Sequence, residues 1–336
     1  MNPPRNWPKA LVALGELATA LRHTARLVWR EGISGLARVI RCLRARRHDY
    51  AVAVPFGYDI AAPAPDPSVA VVCHMFHHEL MPVLAGYLRN IPFPCPIFIS
   101  TDTAAKQADV ERCFSGWQQG PVEVRLMPNR GRDIAPKLVG FADVHARFEY
   151  VLHVHSKRSI HDAQLHGWAE FLFQSLLGST AIVGSIFEIF ARFPNVGLVA
   201  SQHFEPLRFG LGWGDNFAPA ENLAARMGVS ISRDRHFDFP SGSMFWARTA
   251  ALRPLLDLRL TTDDFPPELG QLDGTLAHAI ERLYFFACER AGLDWVKVAR
   301  RDLFRSTSRI TPVDGPDALE EFIKSRRVHL IADRSG

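Results

Sequence analysis

No uninterrupted apolar run in the 336 residues reaches the roughly 18 to 20 needed to cross a bilayer as a helix. The five cysteines (Cys42, Cys73, Cys95, Cys113, Cys288) are odd in number, scattered, and without a CxxC pair. That excludes disulfide-stapled and zinc-ribbon scaffolds, and the thiols read as free in a reducing compartment. The HExxH signature of metalloproteases is missing, and a two-metal carboxylate set is not evident, so a metal-dependent hydrolase ranks last among the readings. Internal repeats and low-complexity tracts are also absent. With 47% apolar and 22% charged residues, the chain is neither disordered nor fibrous. It is long enough for one large domain or two modest ones.

What charge there is lies unevenly. Residues 1–49 hold ten Lys and Arg against Glu16, Glu31 and Asp49, a local balance of +7 inside a total of +4. The remaining residues therefore sum to −3, and a nucleic-acid partner is not supported. Residues 9–47 alternate apolar and basic positions at helical spacing. Leu36, Val39, Ile40 and Leu43 share one face, and Arg38, Arg41, Arg44 and Arg46 spread around the other. Arginines interrupt every candidate apolar core there, so a secretory leader fits poorly. The segment 1–60 is expected to be helical. It either lies on an anionic membrane surface or packs against the body or a partner. The expected location is cytoplasmic, peripheral on the inner face of the membrane.

After a Pro/Ala-rich linker at 61–67, short apolar runs at 68–75, 96–100, 122–127, 150–155 and 196–201 predict strands. Helical patterns at 79–90, within 103–117, and at 133–147, 165–177, 181–193 and 275–290 alternate with or follow them. That alternation predicts an α/β fold, a mostly parallel sheet with helices on both faces. Ligands in such sheets gather beyond the carboxyl ends of the strands.

Four polar stretches stand out. Pro128–Lys137 follows the third predicted strand and opens a helix. Arg130, Gly131, Arg132 and a helix start together form an anion cradle, with Asn129 and Asp133 beside it. Asp133 can cap the helix, bind a base or sugar, or sit near a metal. His153 and His155 project to one side of the fourth strand, with Lys157 and Arg158 at its end. They suit a divalent metal, with Asp133 as the remaining candidate ligand, or hydrogen bonds to a diphosphate, which is the favoured reading. Ser241-Gly242-Ser243 permits close backbone approach to a ligand; a turn followed by a core strand is the plainer account. Finally, Glu268 and Asp273 precede a helix beginning near Thr275. Either carboxylate can take a proton from a nucleophile, and helix capping by Asp273 is the competing account.

Taken in order, these stretches resemble the rhamnan synthesis protein F family. The matching elements are NRGRD at 129–133, HxHxKxS at 153–159, GSMFWAR at 242–248 and FPPELGQLDGTLAHAIERL at 265–283. The resemblance covers roughly residues 68–298 and implies a glycosyltransferase-like domain at 68–300, with a tail at 301–336. Strand and motif order is also similar to A-type glycosyltransferases, with their Rossmann-like nucleotide-binding fold. The resemblance implies transfer of a deoxyhexose, typically rhamnose from a dTDP-linked donor, to a growing cell-surface polysaccharide or lipopolysaccharide glycan. The acceptor would be a glycan or a lipid-linked glycan. Many A-type enzymes hold Mn²⁺ or Mg²⁺ with an Asp-x-Asp after the fourth strand. Here His153-Val154-His155 stands in its place, which puts metal dependence in question. By the same comparison Asp273 is the base of an inverting transfer, with Glu268 second, and Ser241 and Gly242 join the donor site. A non-catalytic glycan-binding or scaffold subunit is the alternative.

Overall fold

The computed structural model describes residues 49–60, 67–157, 167–271, 273–303, 309–325 and 328–331, with the isolated positions Ala25, Trp29 and Gly32. Apart from those three positions, the expected amphipathic segment at 9–47 lies outside the described residues. So do most of the linker, Arg158 and Ser159.

Among the described residues nine strands form one sheet: β1 (Ala51–Val54), β2 (Val69–His74), β3 (Ile97–Thr101), β4 (Val122–Leu126), β5 (Tyr150–His155), β6 (Val196–Ser201), β7 (Phe245–Arg248), β8 (Asp294–Arg300) and β9 (Ile310–Thr311). Their order is β4-β3-β2-β5-β7-β6-β8-β1-β9. Every described pairing is parallel except those of β7, which runs against both β5 and β6. The fold is thus α/β, with a mixed, mostly parallel sheet flanked by helices.

The sequence explains the layering. In β2, six consecutive residues are buried, and alternate ones feed opposite cores. Val71 and Cys73 join Leu84, Leu172, Ile186 and Trp246 on one face. Ala70 and Val72 join Leu223, Leu252, Ile280 and Phe285 on the other. Each Val, Leu, Ile or Phe side chain among them contributes about 1.5–3 kcal/mol by leaving water, before the cost of ordering the chain. The helices Trp168–Leu177 and Thr180–Arg192 have the length and apolar character of a membrane span only when taken together, and they meet at a bend of 65°. Their apolar residues Phe171, Leu176, Ile182 and Phe190 are buried in the core. Among the described residues no single helix is long and apolar enough to cross a membrane.

Several elements depart from expectation. β1 lies within the segment 1–60 expected to be helical, and β9 and the helix Pro316–Ser325 lie within the expected tail. All three belong to the body: four residues (AVAV) and two (IT) carry too little periodicity to register as strands. The helix expected over 133–147 is two, Ile134–Leu138 and Ala142–Arg147. The stretch at 242–248 is a turn followed by a buried strand, its plainer reading.

The chain runs β2, β3, β4 outward, then returns so that β5 pairs with the other side of β2. This reversal makes a topological switch point at the carboxyl ends of β2 and β5, where open α/β sheets carry the crevice that takes their ligands. Because β7 is antiparallel, its amino end delivers the Ser241–Ser243 turn to the same edge. Phe245 pairs with His153.

Candidate functional site

His74 and His155 face one another in register at the mouth of the crevice. Ser100 Oγ donates to the Cys73 carbonyl (3.3 Å), so it receives the Nδ1 proton of His74 (3.0 Å). Burial then pushes His74 down to about 4, keeping it neutral. His155 Nδ1 lies 3.3 Å from Asp133 Oδ2, and the fully buried Lys137 places Nζ 2.8 Å from the same oxygen. Burial alone would raise Asp133, but His155 and Lys137 reverse this and hold its carboxyl well below the usual range. Burial dominates at His155 and lowers it well below the ordinary imidazole value, against the pull of Asp133.

Lys137 also donates to the Ser243 carbonyl at 2.7 Å, tying the first motif to the third. There Gly242 and Ser243 have φ of +89° and +53°. A Cβ at Gly242 would stand 2.8 Å from Leu172 and 3.2 Å from Trp168, so the turn requires glycine. The Gly242 N–H donates to Glu281 Oε1 at 2.8 Å. Lys157 Nζ lies 3.6 Å from the Trp168 ring centroid, a cation–π contact. Burial lowers its pKa, against opposing support from Glu281 and Asp133.

The NRGRD turn is built differently from the open cradle its composition implies. Gly131 is needed because its φ is +67° and a Cβ would meet Phe265 at 2.5 Å and Ala135 at 2.6 Å. The close approach there is by protein. Arg130 pairs with Asp263 at 3.2 Å, while Asn129 is exposed. The backbone N–H of Arg132 donates to Glu268 Oε1 at 3.1 Å, and its guanidinium lies 3.8 Å from Glu268 Oε2 and bonds the Gln271 carbonyl. Asp133 stands at the helix N-cap without a side-chain capping bond.

Asp273 is not the helix cap; Thr275 holds that position. Asp273 instead accepts from the Asp215 N–H (3.3 Å) and the Asn216 amide, and lies 3.4 Å from Arg282. Ser241 Oγ bonds His203 Nδ1 at 2.9 Å. The two histidines of the HxH pattern part company. His153 Nε2 is 2.8 Å from His145 Nε2, deep in the core, whereas His155 joins Asp133.

Three contributors stand in or beside these stretches but carried no role in the sequence reading: Lys137, Glu281 and His278. Burial lowers His278 to about 4, and its Nε2 is buried without a hydrogen bond. His278, Glu281 and Arg282 stand at i, i+3 and i+4 on one helix, so a polar stripe facing the crevice was the signal.

A resident divalent ion does not fit the expected ligands, because His153 is committed to His145 and does not converge with His155 and Asp133. Among the described residues, the group whose ligand atoms do converge is Asp49, His203 and Asp238, and Lys297 already sits on both carboxylates.

Fold and crevice define an open-sheet α/β domain with its polar site at the topological switch point. The chain belongs to the rhamnan synthesis protein F family, whose model matches residues 57–292. It is 37% identical over 237 residues to the "Uncharacterized protein WxcX" of Xanthomonas campestris pv. campestris strain B100, and 36% identical over 237 residues to that of a second strain. Each match covers 70% of this chain and 33% of the relative, so the chain spans about a third of their length. Among solved structures it is similar to the mannosyltransferase PcManGT from Pyrobaculum calidifontis in complex with GDP-Man and Mn²⁺. That likeness has a TM-score of 0.46 and 14% identity, covering 87% of this chain and 70% of that one.

Proposed function

We propose that this domain is an A-type, inverting glycosyltransferase that moves a deoxyhexose, rhamnose from a dTDP-linked donor, onto a growing cell-surface glycan. The observation that carries the reading is the cluster at the switch crevice. Lys137 and His155, from two separate motifs, meet on Asp133, and Lys157 lies within electrostatic reach of Asp133 and Glu281. Family membership supports the substrate class.

In this reading Arg130, Arg132, His155 and Lys157 receive the donor diphosphate, with Asn129, Asp133, Ser241 and Gly242 shaping its seat. The arginines are now paired with Asp263 and Glu268 in half-exposed ion pairs. Such pairs are weak, on the order of 0–1 kcal/mol, so a diphosphate competes for them easily. The acceptor hydroxyl attacks the anomeric carbon as the bond to the diphosphate breaks. The hydroxyl proton passes to Asp273, with Glu268 as second candidate, and the diphosphate leaves with the bonding electrons. One displacement inverts the configuration. Side-chain cations oppose the developing charge, the task a divalent ion performs elsewhere. A lipid-linked or free glycan acceptor and a peripheral position on the inner membrane surface, through residues 9–47, complete the proposal.

Asp273→Asn should abolish transfer, by about 10²–10⁴-fold or more, while donor binding persists. Near-normal turnover removes Asp273 from the mechanism. Thermal-shift screening of nucleotide sugars with and without Mn²⁺ tests the donor and the metal together. A non-catalytic glycan-binding subunit is the second reading. One observation favours it: Asp273 and Glu268 are both already held by donors. Calorimetry showing no donor binding, with no product in a transfer assay, would select it.

A further inference from the structure

A second charged group is buried where Lys297 of β8 meets residues just before β1 and just after β6. Asp49, His203 and Asp238 present ligand atoms within 4.8 Å of one another, and are only 6%, 4% and 4% exposed. Two carboxylates and an imidazole are a donor set of the kind a divalent transition ion takes. Lys297, 3% exposed, occupies that position instead, with its ammonium ion-paired to both Asp49 and Asp238. Arg309 Nη1 lies 3.7 Å from the second oxygen of Asp49.

The charge count explains why the two cations exclude each other. Two carboxylates balance Lys297 and Arg309, so an added divalent ion would leave a buried surplus of positive charge, which is costly. A metal can enter only where the ammonium leaves. His203 passes the arrangement on toward the crevice. Its Nε2–H donates to Asp238 (2.9 Å), and its Nδ1 then accepts from the Ser241 hydroxyl (2.9 Å). Burial keeps His203 below its ordinary value, in the neutral form this pattern requires. Ser241 leads directly into Gly242 and Ser243, which bond Glu281 and Lys137. Asp49, Lys297 and Arg309 lie outside the family-matched residues, and His203 and Asp238 lie inside them. The group therefore fastens the flanking strands to the matched region.

We propose that Lys297 is the resident cation of a metal-type site made by Asp49, His203 and Asp238, and that it positions the Ser241–Ser243 turn without any ion. The assignment does not depend on the transferase reading, because it is tested without a sugar donor.

The test is Mn²⁺ titration of wild type, Lys297→Ala, Asp238→Asn and Lys297→Ala/Asp238→Asn, followed by electron paramagnetic resonance and thermal unfolding. Wild type should show no Mn²⁺ binding that Asp238→Asn removes, and no change in Tm with EDTA. Lys297→Ala should melt lower and regain Tm on adding Mn²⁺. It should bind a single ion at least about tenfold more tightly than any Asp238-independent binding that wild type shows, and lose it again in the double variant. If Lys297→Ala is insoluble, Mn²⁺-dependent recovery on refolding is the readout, and failure to recover overturns the proposal. A soluble Lys297→Ala that gains no Mn²⁺ affinity also overturns it. So does a wild-type Mn²⁺ site abolished by Asp238→Asn.

Discussion

Replacing Lys137 by Met removes a cation that touches both the NRGRD motif and the Ser241–Ser243 turn. The substitution keeps the aliphatic bulk of a side chain that is 0% exposed, so packing changes little. What it removes is the ammonium at 2.8 Å from Asp133 and 2.7 Å from the Ser243 carbonyl. Breaking a buried ion pair from one side costs about 3–5 kcal/mol, most of it the stranded charge. His155 remains 3.3 Å from Asp133 and keeps part of its support, so the loss falls within that range rather than above it. Asp133→Asn/Lys137→Met should recover part of the loss, because the amide needs no counter-charge, and the double-mutant cycle then measures the coupling. The pH dependence gives an independent check. In wild type the Asp133 pKa is depressed, so its contribution is present above the unfolded value near pH 3.9 and is lost as pH falls toward the folded value. In Lys137→Met the carboxyl is buried without its cation and its pKa rises, so the penalty should shrink on acidification from pH 7. Urea unfolding followed by tryptophan fluorescence at pH 7 and pH 5 reads all of this. A penalty below about 1 kcal/mol at pH 7, or one that grows toward pH 5, would refute a buried, ionised Asp133 held by Lys137.

Two further outcomes are expected. Gly131→Ala should lose about 2–4 kcal/mol from left-handed strain and overpacking, and Phe265→Leu in the same chain should return part of it; an unaffected urea midpoint would show that the NRGRD turn is not packed against Phe265. His74 and His145, both held at about 4 by burial, are neutral when folded but protonate when unfolded below about pH 6.5. Stability should therefore fall as pH drops from about 6.5 to 4, by up to about 1.4 kcal/mol per pH unit per group, and a flat profile would contradict neutral burial.

The sequence was most legible where one segment carries its own signal. VAVVCH, IFIST and YVLHVH are short apolar runs bounded by turns, and each is a strand near its expected limits. β8 was hidden because DWVKVAR contains Asp294 and Lys297, and charges inside a strand argue against burial until their partners are known. Those partners come from afar: Asp49 is 248 positions from Lys297, and Asp238 is 59. The same limit applies in the crevice. Arg130, Arg132, Asp133 and Lys137 are near in sequence and attracted attention together. The bond from Gly242 to Glu281, 39 positions apart, joins a helix position that carried no role in the sequence to a turn and exists only through the topology. Composition also misjudged what holds the motif's charges. Arginines that read as free for a ligand are engaged by Asp263 and Glu268, supplied by a loop more than a hundred positions later.

The position of β8, β1 and β9 at one side of the sheet separates two units that are easily conflated, the unit of homology and the unit of folding. A fragment cut to the family-matched residues 57–292 would lose all three strands. β6, a run of six buried residues, would then become an outermost strand with unpaired backbone groups, the kind of surface that recruits other chains into aggregates. Asp238 would also be left in the interior without Lys297. In this chain the segments that family resemblance leaves out cover the sheet edge of the part it recognises.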